Sequence, residues 1–196
     1  MKQTFLAVAV VAALGAAAAA PAAAQISGDV AAYGSFLSPQ DANNVYGGGA
    51  KVRIGIFEFR GTYFDRISTP HVFSNCPPFC GGQRFTIRDV PVEAGLNFKL
   101  LHDEVFKPYV GGGASYDFLS GNNNTFANIK DEWGWYAVAG SDFVVSNGFG
   151  FFAEAQYRRV RGTVREANTD NVSLSDNVPL QLGGIGVNAG IVFHWN

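Results

Sequence analysis

The sequence predicts an all-β protein, an eight-stranded antiparallel up-and-down transmembrane β-barrel. Between Val90 and Leu100 apolar residues (Val90, Val92, Ala94, Leu96, Phe98, Leu100) alternate with Pro91, Glu93, Gly95, Asn97 and Lys99. Side chains leave a strand on opposite faces with period two, so this stretch separates two different solvents. After the N-terminal segment, no apolar run approaches the ~18 to 20 residues of a spanning helix, so any membrane crossing is made by strands. The connections between candidate strands alternate long and short, which in a meander puts both termini and every short turn at one end.

The first 24 residues stand apart. Lys2 is a small positive n-region, Phe5 to Ala20 an apolar h-region, and Ala22-Ala23-Ala24 before Gln25 an A-x-A cleavage site. Residues 1–24 therefore predict a secretory signal peptide and residues 25–196 a single barrel domain. No lipobox cysteine follows the h-region, which argues against a lipid anchor.

The strands follow in order. The first spans Val30 to Leu37 and the second Gly49 to Ile56, with Ser38 to Asn44 between them. The third, Phe57 to Phe64, comes almost at once, and a long polar interval runs from Asp65 to Arg84. The fourth ends near Leu101, and His102-Asp103-Glu104 separates it from the fifth, Val105 to Phe118. Gly121 to Asn124 makes the next loop, and the sixth strand, Trp133 to Val145, turns at Ser146-Asn147-Gly148 into the seventh, Phe149 to Val160. Arg161 to Pro179 precedes the eighth, which ends the chain. Gly, Asn, Asp, Ser and Pro fill these connections, as turns require. Short turns at one end and long loops at the other are the asymmetry of outer-membrane barrels.

The two faces sort by charge. One carries Lys51, Arg53, Glu58, Arg60, Glu93, Lys99, Asp142, Glu154, Gln156 and Arg158. The other carries Val52, Ile54 and Ile56; Phe57, Phe59 and Tyr63; Phe151, Ala153, Ala155 and Tyr157; and Ile185, Val187, Ala189, Ile191, Phe193 and Trp195. A water-soluble barrel would bury the charged set, at several kcal/mol for each uncompensated ion, and coat itself in aromatics. The charged face is therefore the lumen and the apolar face meets lipid. Phe57, Phe98, Phe106, Phe143, Phe149, Phe193 and Trp195 fall towards the turn end, and Tyr63, Tyr116, Trp133 and Tyr157 towards the loop end, as two interfacial girdles. Ala31, Gly111, Gly112, Gly113 and Val138 choose no face from sequence alone. A formal net charge of −2 gives no electrostatic reason to expect nucleic acid as a partner.

Four segments carry a resemblance across the mature chain: Gly49-Ala50-Lys51-Val52-Arg53-Ile54-Gly55, Lys107-Pro108-Tyr109-Val110-Gly111-Gly112-Gly113, Phe152-Ala153-Glu154-Ala155-Gln156-Tyr157-Arg158, and Gly190-Ile191-Val192-Phe193-His194-Trp195. The chain resembles the small eight-stranded outer-membrane β-barrels of Gram-negative bacteria: OmpA-like, OmpX-like and opacity-type proteins. The resemblance implies export through the periplasm, residence as a monomer in the outer membrane among lipid and lipopolysaccharide, and a C-terminal signal for the outer-membrane assembly machinery at Ile191, Phe193 and Trp195. Asn196 follows Trp195, a departure from the family's aromatic ending. Relatives of this type are structural, adhesive, immune-exposed or narrowly conductive, and their strand motifs are not catalytic.

The remaining chemistry has competing readings. Lys51, Arg53, Glu58, Arg60, Glu93, Lys99, Glu154 and Arg158 either line a narrow channel or pair with one another and fill the lumen; eight strands leave an interior just wide enough for side chains, which favours the plug. Cys76 and Cys80, around Pro77-Pro78-Phe79 in the longest loop, suggest a small disulfide ring in an oxidising compartment, with a metal site the weaker alternative because only His71 is near. A lipid-modifying or proteolytic site would need a nucleophile, base and orienting group together. His71 lies in a loop, His102 in a short turn and His194 at the lumen's turn-end rim, so no catalytic set and no cofactor site is expected. The long loops, with Phe73, Phe79 and Phe85 as candidate apolar contacts and the polar stretch Arg161 to Asn177, either offer a surface to matrix, a host receptor or lipopolysaccharide sugars or are solvated, variable connections. Asn123-Asn124-Thr125 and Asn171-Val172-Ser173 match glycosylation sequons by chance in a bacterial chain.

Overall fold

The computed structural model describes residues 27–69, 85–101, 105–121, 127–129, 131–146, 148–166 and 178–195. The predicted signal peptide and the Cys76–Cys80 pair lie outside the described residues.

The described residues form ten strands: β1 (Gly28–Pro39), β2 (Val45–Ile54), β3 (Phe57–Thr69), β4 (Phe85–Lys99), β5 (Phe106–Gly121), β6 (Ala127–Ile129), β7 (Glu132–Ser146), β8 (Phe149–Glu166), β9 (Val178–Gln181) and β10 (Gly184–Trp195). Eight of them, all but the short β6 and β9, form a closed antiparallel meander. Closure comes from β10, which pairs with β1 from Gly28↔Trp195 to Pro39↔Gly184 and with β8 from Ile185↔Tyr157 to Phe193↔Phe149. A closed sheet leaves no unpaired edge in lipid. The two short strands extend β8 at the loop end, where Ala127–Ile129 and Val178–Gln181 pair with its last residues.

The long polar intervals are shorter than the sequence suggests. β3 continues past Asp65 to Thr69, and β8 past Arg161 to Glu166. Charged and glycine residues there interrupt the apolar alternation that marks a strand in lipid, yet backbone pairing continues: Ile67↔Ile87 and Thr69↔Phe85 on one side, Arg161↔Gln181 and Val164↔Ile129 on the other. The predicted eighth strand is divided, with β9 and β10 separated at Leu182-Gly183. The β3–β4 ladder skips Thr62 and Tyr63 opposite Pro91, which has no N–H to donate, and shifts register between Phe64 and Ile67 beside Arg66, at φ 60°.

At the opposite end the connections are tight. Gly55, between β2 and β3, has φ 60°, and Gly148, just before β8, has φ 83°; glycine adopts these angles without the steric penalty of a side chain. The undecided residues now take sides. Ala31 and Val138 are buried in the lumen, and Gly111 and Gly113 share the inner face with Tyr109 and Ser115 while Gly112 faces out.

Inward glycines make room for rings. A Cβ on Gly95 would stand 2.6 Å from the Tyr136 hydroxyl, and one on Gly49 would stand 2.7 Å from the Tyr33 ring. Both tyrosines are buried, and Tyr33 shares a 2.8 Å hydrogen bond with Thr62 Oγ1 across the lumen. Gly95→Ala should therefore destabilise the barrel by roughly 1–3 kcal/mol, the usual cost of overpacking, read as a lower denaturant midpoint in lipid vesicles.

Lipid-facing positions match the predicted apolar set. Phe57, Phe59, Phe151, Ile185, Val187, Ile191 and Phe193 are all exposed on the outer face. Aromatic pairs gather at both ends: Phe106–Phe143 (5.4 Å between centroids) and Phe149–Phe151 (5.7 Å) at the turn end, Tyr116–Trp133 (5.0 Å) and Trp135–Tyr157 (5.4 Å) at the loop end.

Candidate functional site

The lumen holds the chemistry. Alternation along each strand turns one residue in two inward, and the inward set forms three charged tiers beneath an apolar one.

At the turn end Arg53, from β2, bridges two strands. Its Nε donates to Asp29 Oδ1 at 2.6 Å on β1, and its Nη2 to Asp142 Oδ2 at 2.5 Å on β7. Lys99 Nζ stands 3.7 Å from Asp29 Oδ2, and the His194 ring faces both carboxylates, with Nδ1 3.5 Å from Asp29 and Nε2 3.8 Å from Asp142. Asp29, Asp142 and His194 offer atoms within 4.8 Å of one another, close enough to suggest a metal centre. Arg53 and Lys99 already balance both carboxylates there, so a dication would add uncompensated buried charge, and the cluster is better understood as one end of the ion network.

The middle tier centres on Glu154 of β8. Its carboxylate accepts from Lys51 Nζ at 2.7 Å, Arg60 Nη1 at 2.7 Å, Tyr109 Oη at 2.7 Å and Asn188 Nδ2 at 2.9 Å, tying β2, β3, β5 and β10 to β8. Arg60 also donates to Glu58 at 2.5 Å, whose other oxygen accepts from Asn97 Nδ2 at 3.0 Å. Lys51 Nζ sits 3.7 Å from the centre of the Phe152 ring, a cation–π contact inside the barrel.

Towards the loop end, Arg158 faces three carboxylates: Asp117, Asp89 at 3.3 Å and Glu93 at 3.3 Å. Glu93 also accepts from Gln156 Nε2 at 2.9 and 3.0 Å, and Ser115 Oγ donates to Asp117 at 2.6 Å. Above this tier the lumen turns apolar, with Leu37, Val45, Phe64, Ile67, Ile87, Leu119 and Leu182 packed into one buried cluster. Charges sealed from water are tolerable only when paired and hydrogen-bonded. Every buried ion described in these tiers has an opposite charge in reach, while single atoms such as Arg53 Nη1, Asp89 Oδ1, Asp142 Oδ1 and Arg158 Nε have no hydrogen-bond partner among the described residues.

All eight charged residues singled out from sequence enter the lumen, where Lys51, Glu58, Arg60, Glu93, Glu154 and Arg158 form one run of ion pairs and Arg53 and Lys99 meet at Asp29 in a second. Seven are buried; Lys99, at the turn-end rim, keeps 32% of its side chain exposed. Sequence reasoning missed Asp29, Asp89 and Asp117, along with the acceptors and donors Tyr109 and Asn188. Extending the Glu93 alternation back two pairs reaches Asp89, but Pro91 interrupts the pattern. The glycine run before Ser115 hides the inward parity of Asp117, and Asp29 immediately precedes the first apolar residue of its strand. The apolar tier was also missed, because Leu37 and Val45 look like lipid-facing residues near the strand ends. His194 occupies the predicted inward rim position, facing Asp29 and Asp142.

A closed barrel of this size with apolar outside and paired charges inside defines an integral outer-membrane protein. Residues 4–193 match the outer membrane protein beta-barrel domain family, and the chain belongs to it. It lies in the outer membrane of a Gram-negative bacterium, where short turns face the periplasm and long loops face outward. Among solved structures it is similar to the outer membrane protein OprG of Pseudomonas aeruginosa, at 12% identity and TM-score 0.70, covering 87% of this chain and 96% of that one. Outer membrane protein W of E. coli matches at 13% identity and TM-score 0.58, covering 88% of this chain and 100% of that one. Neisserial surface protein A matches at 15% identity and TM-score 0.53, covering 87% and 97%. At these identities the likeness is one of fold. No curated protein matches the sequence.

Proposed function

We propose that this chain is a sealed, non-enzymatic barrel whose role is structural, adhesive or antigenic and is carried by its external loops. The observation that supports this reading is the occupied lumen. Glu154 alone joins side chains from four other strands, and the apolar cluster of Leu37, Phe64, Ile87 and Leu182 packs above it, so two unlike layers stand between the periplasm and the loops. A conducting path would need mobile water around those charges, and their short mutual bonds replace it.

Liposome swelling with a small neutral sugar tests the sealed lumen. Proteoliposomes should swell no faster than protein-free vesicles, and porin-like rates would overturn the reading. The non-enzymatic half is tested separately, by mass spectrometry of lipid A and of outer-membrane peptides from expressing cells. Unchanged masses are expected, and a new product would establish an enzyme.

A further inference from the structure

We propose that the loop-end outer face of β7 and β8 binds a phosphorylated glycolipid of the outer leaflet, with Arg159 and Arg161 gripping a headgroup phosphate beside a platform of aromatic rings. Most of the outer face is aliphatic or aromatic, and charge there is expensive. Arginine facing hydrocarbon is costly at the bilayer midplane and nearly free near the interface. Arg159 and Arg161 occupy alternate positions of β8, continue the face that carries Tyr157, and are both exposed. Trp135 lies directly opposite Arg159 in the β7–β8 ladder and packs on Tyr157, while Trp133, 71% exposed, packs on Tyr116 of β5. Tryptophan and tyrosine belts mark the headgroup level, so the two guanidiniums stand where lipid phosphates lie.

Two further arginines at this end behave differently. Arg66 and Arg88 stand 3.4 and 3.6 Å from the carboxylate of Asp65. Arg159 and Arg161 have no carboxylate in ion-pair range among the described residues. Two strand residues apart, they are separated by roughly 7 Å along β8, within reach of a single phosphate held by both. Guanidinium is the group suited to this task, since its planar fork matches phosphate oxygens bidentately. The outer leaflet of this membrane is built from lipopolysaccharide, whose lipid A carries phosphate on acylated sugars. The phosphate would take the arginines, and the sugar and acyl chains the exposed rings of Trp133 and Trp135.

The test uses the full mature chain refolded in phosphatidylcholine nanodiscs, titrated with bisphosphorylated lipid A while tryptophan emission is recorded. Saturable binding is expected, weakened at least about tenfold for dephosphorylated lipid A and for R159Q/R161Q, because charge-assisted bonds to phosphate are lost. R66Q/R88Q should bind as the parent does, and inorganic phosphate alone should leave the emission unchanged. Equal affinity for both lipids, or for parent and R159Q/R161Q, would overturn the proposal. Saturation by inorganic phosphate would overturn it too, by revealing a free-anion site. Should R159Q/R161Q fail to fold, judged by heat-modifiable mobility, the two lipids on the parent protein still decide.

Discussion

Glu154→Ala should lower the stability of the barrel by about 3–5 kcal/mol, the cost of leaving buried partners of a broken ion pair without compensation. Its carboxylate holds Lys51, Arg60, Tyr109 and Asn188 at 2.7 to 2.9 Å. Arg60 keeps Glu58 and Glu93 after the substitution, but among the described residues Lys51 has no ion pair besides Glu154. Most of the loss therefore traces to a lysine stranded against Phe152 and Tyr109. Adding Lys51→Met removes that stranded charge with a side chain of similar length, so K51M/E154A should be more stable than E154A alone by the coupling typical of contacting residues, roughly 0.5–3 kcal/mol. Reversible urea unfolding in lipid vesicles, followed by tryptophan emission, measures each value. A loss under about 1 kcal/mol for E154A would mean that water, and not the protein, solvates these charges.

Arg158→Met should be comparably damaging, again about 3–5 kcal/mol, for the opposite reason. Here one cation serves Asp89, Asp117 and Glu93, and its removal leaves carboxylates from β4 and β5 facing one another just beneath the apolar tier. Glu93 retains Gln156 and a 3.5 Å approach from Arg60, so the strain concentrates on Asp89 and Asp117. Arg158→Lys keeps the charge but cannot reach all three acids with a fork of donors, and it should fall between R158M and the parent. The same unfolding experiment orders the three proteins. Equal stability of R158K and R158M would show that geometry, not charge, decides at this tier.

How much of this was legible in the sequence follows from what each face must satisfy. Lipid demands an unbroken apolar stripe, so Val90 to Leu100 and Phe149 to Tyr157 announce both the strand and its outward face. The lumen imposes no such uniformity. It accepts ions, glycines and aliphatics alike provided they fit one another, and only the assembled barrel shows that Asp29 completes Arg53 or that Gly95 accommodates Tyr136. Beyond the bilayer the constraint lapses altogether, which is why β3 and β8 run five or six residues past the predicted strand ends, from Phe64 to Thr69 and from Val160 to Glu166. The loop-end arginines were readable as residues but not as a pair beside tryptophans, because that neighbourhood depends on the register Trp135↔Arg159.

Single-channel recording of the refolded mature chain in planar bilayers tests the sealed lumen most directly, with heat-modifiable mobility confirming that the protein has folded. A folded barrel should give no discrete openings, because the Glu154 web and the apolar tier above it occupy the path. Regular, charge-selective openings would contradict that account and make the lumen a channel.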